Sequence, residues 1–339
     1  MKHLLMYSLF LVFMIACKKN NVNSNQNSSS ICFKTTFINT NITDNFLSVF
    51  FINGKDGFIT GYNGGIYKTT DSAKTWTTLN STTNLPIRDI YFIDKNKGFA
   101  VGGENSCGGT GCTPPGGFIL ETQDGGQNWT NIFTPTDKIE ISSICFINTT
   151  TGFCAGDNVV FKTNDGGQTW TENKINNIGG KMMKISFTDN QNGFIVCLFD
   201  KILKTTNGGL TWEINSPNKN VGYYSFSFSE GVSYVSGQGK ILKTSNGGSS
   251  WTELLNSPRD IYDLHFTDKN IGYAFGRGNY SGGDFGHSYG SMYCTNNGGN
   301  SWNGNGDFKE VGLIQSVSFP TTNIGYAISG NKIIKVSIN

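Results

Sequence analysis

Six tryptophans occur in this 339-residue chain, and all six close the same short phrase: DSAKTW at 71–76, DGGQNW at 124–129, DGGQTW at 165–170, NGGLTW at 207–212, NGGSSW at 246–251 and NGGNSW at 297–302. Successive tryptophans lie 53, 41, 42, 39 and 51 residues apart, the period of a unit that makes one small sheet and repeats. Such a chain stacks its units against one another to bury a shared core. A residue set that recurs once per repeat builds scaffold first, so function must be sought where the repeats differ.

Aligned on the tryptophans, each unit opens with an apolar strand, a polar turn, and then glycine, an aromatic and a second strand. Examples are DIYFIDKNKGFAVG at 89–102, SICFINTTTGFCAG at 143–156, KISFTDNQNGFIVC at 184–197 and DLHFTDKNIGYAFG at 263–276. A third strand such as VVFKT or KILKT runs into the tryptophan phrase, and a fourth leaves it. Six complete units run from about Leu47 to Asn303, and a seventh, at 317–339, ends after three strands. The unassigned strand-like segment is Ile31 to Asn39. An open sheet edge is an aggregation hazard that pairing the termini removes. The expected fold is therefore all-β, a seven-bladed propeller over 31–339 whose last blade is closed by an N-terminal strand; an open solenoid is the competing arrangement. Glycine at 44 residues and aromatics at 13% suit short strands and tight turns, and no helical period is evident.

The first residues follow another logic. Lys2 and His3 precede an apolar run from Leu4 to Ala16, too short to span a bilayer and shaped like an export signal. Met14-Ile15-Ala16-Cys17 resembles a bacterial lipobox, with methionine where leucine is usual. The resemblance implies removal of residues 1–16, lipidation of Cys17 and a lipid-anchored protein of the bacterial cell envelope, at the outer membrane. Residues 17–30, rich in Asn, Ser and Gln, read as a flexible tether. A formal net charge of +2 with three arginines leaves no footprint for nucleic acid.

The phrases TNDGGQTW and TQDGGQNW resemble the Asp-box, or bacterial neuraminidase repeat. Asp or Asn is expected to accept a hydrogen bond from the backbone two residues on, the glycine pair supplies positive φ, and the tryptophan fills the gap to a neighbouring blade. Asp71, Asp124 and Asp165 stand where the later copies have Asn207, Asn246 and Asn297, which keep the turn and lose the charge. The motif is thus structural, with Trp76, Trp129, Trp170, Trp212, Trp251 and Trp302 as its apolar anchors. The first copy has Ser72-Ala73 for Gly-Gly, and a looser turn is expected there. Truncation of a buried Trp170 would cost about 3–5 kcal/mol.

Two units carry insertions between their second and third strands, GENSCGGTGCTPPGG at 103–117 and RGNYSGGDFGHSYGS at 277–291. Both emerge on the face that carries the links between blades, opposite the tryptophan phrases. Arg277, Tyr280, Asp284, Phe285, His287 and Tyr289 in the second insertion, with Arg88 and Arg259 from inter-blade links, form the candidate binding face for protein or sugar. One histidine without a second ligand pattern argues against a metal. No cofactor is expected. Cys107 and Cys112 are expected to staple their loop as a disulfide in an oxidising compartment. Cys145 and Cys154 either face each other or are buried apolar residues, as Cys32, Cys197 and Cys294 are taken to be.

The combination of F-x-D-x-x-x-G-[FY]-x-x-G with K-T-x-[DN]-G-G-x-T-W over 31–339 resembles the photosystem II stability/assembly factor family of propellers and its non-photosynthetic relatives. That resemblance implies a non-enzymatic, protein-binding scaffold with a protein partner in the envelope. Rival readings are a carbohydrate-binding or adhesin module and a sialidase-like glycosidase. The glycosidase needs an arginine cluster, a tyrosine nucleophile with a glutamate partner, and an acid, and three arginines supply it poorly.

Overall fold

The computed structural model describes residues 32–104, 116–176, 178–217, 219–257, 259–281 and 287–338. Among them 28 strands form seven four-stranded sheets, each a meander of antiparallel neighbours. Within a blade the strands run inner, second, third and outer, as in the second blade: Ile87–Phe92, Gly98–Glu104, Gly116–Thr122 and Thr130–Phe133. Second strands such as Gly57–Gly61 and Gly152–Gly156 are buried at every residue, because neighbouring blades cover both faces. The outer strands are largely exposed.

The expected closure is present. The strand Phe33–Ile38 forms the outer edge of the last sheet, with Phe33 opposite Ile338 and Ile38 opposite Ile333. First and last segments thus share one blade, and the fold is a seven-bladed propeller.

One aromatic stack recurs at every blade interface. The aromatic after the second-strand glycine lies flat against a ring on the next inner strand: Phe58 on Phe92 at 4.1 Å, Phe99 on Phe146 at 4.8 Å, Phe153 on Phe187 at 4.2 Å, and Tyr234 on Phe266 at 3.5 Å between centroids. Tyr273 stacks on Phe319, and Tyr326 on Phe51 closes the circle at 4.0 Å. The glycine is required by the other side of the same ring: a Cβ on Gly98 would fall 2.6 Å from atoms of Phe92. Each inner-strand phenylalanine is therefore sandwiched between its own blade's glycine and the preceding blade's aromatic. The fifth blade departs. Ser233 replaces the glycine, Phe228 is 40% exposed, and Phe194 stacks instead on Phe226 at 4.9 Å.

The tryptophan turns are held by a hydrogen-bond pattern that differs in detail from the expectation. Asp71 Oδ1 accepts from the backbone N–H of Thr75, four residues on, while the N–H of Ala73 donates to Thr69 Oγ1. Asn207, Asn246 and Asn297 accept the equivalent backbone bonds from Thr211, Ser250 and Ser301. The turn with Ser72-Ala73 is not looser: its bonds have the same length, and both residues take the left-handed conformation, with φ of 64° and 66°, that glycine accepts more easily. The side-chain and backbone bonds from Thr75 hold the Asp71 carboxyl down at about 2.

The cysteines correct the sequence reading. Cys32 and Cys294 are not isolated apolar residues but form a disulfide with Cα atoms 6.3 Å apart. It joins the start of the closing strand to the third strand of the sixth blade, across 262 residues of sequence. A bridge over so long a loop stabilises by about 5 kcal/mol on chain-entropy grounds. Cys145, Cys154 and Cys197 are free thiols, and Cys145 pairs in register with Phe153, not with Cys154. Cys17, Cys107 and Cys112 lie outside the described residues.

The tryptophans are not equally buried. Trp129 is 4% exposed, whereas Trp76, Trp170, Trp212, Trp251 and Trp302 keep part of their surface in solvent. Trp129 packs edge-on against Phe92 with centroids 6.0 Å apart. The large truncation cost anticipated for Trp170 therefore belongs to Trp129. Trp129→Ala is expected to lose about 3–5 kcal/mol in denaturant unfolding and Trp170→Ala clearly less; equal losses would mean that burial does not rank these sites.

Candidate functional site

The seven inner strands line a central channel, and their sequences align position by position. One aligned position of each is polar and lines the channel, the third residue in six of the strands and the first in Ser316–Thr321: Ser48, Asp89, Ser143, Lys184, Ser225, Asp263 and Ser316. In six of the blades the pairing shifts by one residue just before this position, as between Ile87 and Asp89. Such a bulge re-aims side chains at the end of a strand. The bulged residues, among them Arg88, Met183, Tyr224 and Tyr262, rim a cavity of about 260 Å³ to which all seven blades contribute.

The two channel aspartates tie blades together. Asp89 accepts from Ser48 in the blade before and from Ser143 Oγ and the Ile144 N–H in the blade after, at 3.1 Å each. Asp263 accepts from Ser225 Oγ at 2.6 Å and from the Val317 N–H at 2.8 Å, again one blade on each side. Lys184 Nζ stands 3.5 Å from Asp263 Oδ1. Burial raises the Asp89 carboxyl above its ordinary range, against the lowering effect of Lys184 and its hydrogen bonds. Burial pulls Lys184 down, but the charges of Asp263 and Asp89 outweigh it and the net direction is up. Although 39% of the Lys184 side chain is accessible, that surface faces the channel.

At the mouth, Glu140 holds two cations, Arg88 Nε at 2.7 Å and Lys181 Nζ at 2.6 Å. Across the opening Tyr224 and Tyr262 stack at 4.5 Å, and the Tyr262 hydroxyl donates to Asp260, which also pairs with Arg277 Nη2 at 2.9 Å. This chain of contacts fastens the base of the sixth-blade insertion to the mouth.

The candidate residues read from the sequence fall into four groups. Arg88 is not in a link but on the inner strand Ile87–Phe92, at the mouth. Arg259 does sit in the link before the sixth blade, its N–H donating to Ser257. Arg277, Tyr280, His287 and Tyr289 lie on strands, because the sixth-blade insertion is largely a prolonged hairpin: Gly272–Ser281 pairs with His287–Thr295 up to Ser281 opposite His287. Asp284 and Phe285 lie outside the described residues. Sequence reasoning missed the polar ring, Lys181 and the tyrosine pair. The signal was one charged or hydroxyl residue at a fixed place in each apolar strand.

Deeper in the channel His265 stacks on Phe319 at 4.6 Å. Burial lowers its pKa to about 4, against the pull of Asp263. A folded value below the unfolded one makes stability full above about pH 6.5 and lost as pH falls toward 4. His265→Phe, which keeps the stack, should flatten the stability profile between pH 6.5 and 4 by up to about 2 kcal/mol, allowing for solvent in the channel. Superimposable profiles for variant and parent would refute the assignment.

Fold and channel together define a seven-bladed propeller with a polar, bulge-lined pore. The family model described as photosynthesis system II assembly factor YCF48 matches residues 71–180 and 174–319, which together span 71–319, or 249 of the 339 residues. The chain belongs to that family. Among solved structures it is similar to YCF48 bound to D1 peptide, at 19% identity over 91% of this chain and 97% of that one, with a TM-score of 0.69. YCF48 from Cyanidioschyzon merolae matches at 14% identity over 90% and 98%, with a TM-score of 0.68. The GH74 enzyme of Niastella koreensis matches at 13% identity, 85% of this chain against 62% of the enzyme, with a TM-score of 0.55. At such identities these likenesses establish the fold alone. None of the curated proteins compared matches the chain.

Proposed function

We propose that this chain is a non-enzymatic scaffold that binds a segment of a partner protein at the channel mouth. The observation that carries the reading is the convergence of all seven inner strands on one cavity rimmed by stacked tyrosines and by Arg88 and Lys181 sharing a single glutamate. A carboxylate or carbonyl arriving there finds two cations already oriented, and the tyrosines offer flat apolar surface with a polar edge. A family member whose solved structure holds a D1 peptide makes peptide binding the natural precedent.

The reading favours binding over hydrolysis because Asp89 and Asp263 are committed to holding neighbouring blades. The proposal extends to location: an exported protein, lipid-anchored at Cys17 in the cell envelope and carried on the tether of residues 17–30. The disulfide between Cys32 and Cys294 agrees with an oxidising compartment.

The test is retention of envelope proteins by the immobilised propeller, compared with variants of the mouth. Tyr262→Ala and Arg88→Ala should each weaken capture of a specific partner about tenfold or more, the scale of an interface hot spot. Glycan-array binding without any protein retained would contradict the proposal and favour the carbohydrate-binding reading.

A further inference from the structure

A second site is suggested by the one blade interface that breaks the aromatic pattern. In five of the other interfaces the phenylalanine six residues before the glycine of the Gly-aromatic pair fills the gap between blades, as Phe92 does against Phe58 and Phe187 against Phe153; Phe51 fills it at the closing seam against Tyr326. Between the fourth and fifth blades Phe226, two residues earlier in the strand, takes the stack on Phe194 at 4.9 Å, and the place of the usual phenylalanine, here Phe228, is vacated. Ser233 is buried where the glycine should be, and a Cβ at the equivalent Gly193 would fall 2.7 Å from the Phe187 ring. The turn from Phe228 to Ser233 is also one residue shorter than that from Phe187 to Gly193. Phe228 has swung outward to 40% exposure and rests obliquely on Phe226 at 6.2 Å.

What remains is a cleft of about 550 Å³ on the face that carries the tryptophan turns. Its walls are Phe194, Phe228, Ser233, Gly247 and Lys204, with Asp189 at the rim. These are the counterparts of residues at the first interface, where Phe58 and Gly98 sandwich Phe92 and Lys68 lies over Phe58 with its ammonium on the Gly125 carbonyl. The lysine differs too. Lys68, Lys162 and Lys243 each donate to a glycine carbonyl of the next blade's turn and lie over the preceding aromatic at 5.4–5.6 Å. Lys204 makes neither contact, although its Nζ lies close to Gly247. The cleft thus offers a ring-lined slot with an uncommitted ammonium at its edge.

We propose that this cleft is a docking slot for an aromatic side chain of a partner polypeptide, a phenylalanine or tyrosine with an acidic neighbour. The rest of the ring states the occupant's chemistry, since an aromatic ring supplied in cis fills the same space at the other interfaces. The acidic neighbour answers Lys204, since of the two carboxylates in the lining Asp189 accepts from the Gln191 and Asn192 N–H groups of its own turn and Glu230 pairs with Lys269 at 3.7 Å. The volume exceeds what a single ring fills and lies within the range of ligand sites, so it accommodates adjoining backbone. The slot is on the opposite face from the channel mouth and stands whether or not the mouth binds peptide.

The experiment is saturation-transfer NMR on the full chain with the capped peptide acetyl-Ala-Glu-Phe-Ala-Ala-amide and its leucine analogue as probes. The phenylalanine peptide should bind, with the leucine analogue about fivefold weaker or worse, the scale of one aromatic contact. Phe226→Ile with Ser233→Gly restores the residue pattern of the other blades, lets Phe228 fill the slot from within, and should abolish binding. Should that pair of changes prevent folding, Phe228→Ala removes an exposed wall without touching the core and should weaken binding about fivefold. Tyr262→Ala, at the mouth, should leave the signal unchanged. No binding to the parent, equal binding of the two peptides, undiminished binding to the slot variants, or the same slot answering only to an oligosaccharide would each overturn the proposal.

Discussion

A phenylalanine ring lying flat between a glycine of its own blade and an aromatic of the blade before it is the contact on which the ring of sheets depends. A four-stranded blade has two apolar faces and no means of covering either alone, so its stability is that of its interfaces. The flat stack brings adjacent blades together over a wide area, and each such pair contributes about 0.5–1.5 kcal/mol beyond the area it buries. The contact also explains the Gly-aromatic dipeptide of the second strand. The glycine admits the ring from one side, and the aromatic supplies the stack on the next.

The period, the blade number and the sharing of the last sheet between the termini were legible in the sequence, because the tryptophan phrase marks one turn per unit and the last unit lacks a strand. The reason for the glycine before each second-strand aromatic was not, since it lies in a ring that approaches from six residues earlier in the same unit. The disulfide between Cys32 and Cys294 was hidden for a related reason: its partners are distant in the chain and meet only because the ring closes. At the channel, Asp89 and Asp263 are the acidic residues of IRDIYF and IYDLHF, and their role appears only when seven inner strands face one axis. Arg88 was assigned to an inter-blade link and lies instead on an inner strand, because the bulge that turns it to the mouth has no signature in a single strand. The candidate residues at 284 and 285 lie outside the described structure.

The two faces of the disc offer different chemistry. The mouth of the channel combines paired charges with stacked tyrosines, and the sixth-blade hairpin is fastened to it through Arg277 and Asp260. The opposite face is built from the six tryptophan turns, and Phe228 is turned outward on it beside Ser233. The repeat is broken at two places: the bulged residues vary from blade to blade, and the interface between the fourth and fifth blades has Ser233 where the others have glycine. The closing strand completes the last blade, and the disulfide ties that strand to the sixth.

The central claim is that the closing seam is held by the same aromatic stack as the interior interfaces. A double-mutant cycle on Phe51 and Tyr326, whose rings lie 4.0 Å apart and 10° from parallel, tests it most directly. A coupling of about 0.5–1.5 kcal/mol, matching a parallel cycle on Phe58 and Phe92, is the expected result. A coupling indistinguishable from zero at Phe51 and Tyr326, with a normal value at Phe58 and Phe92, would show that the ring is not closed in the way described.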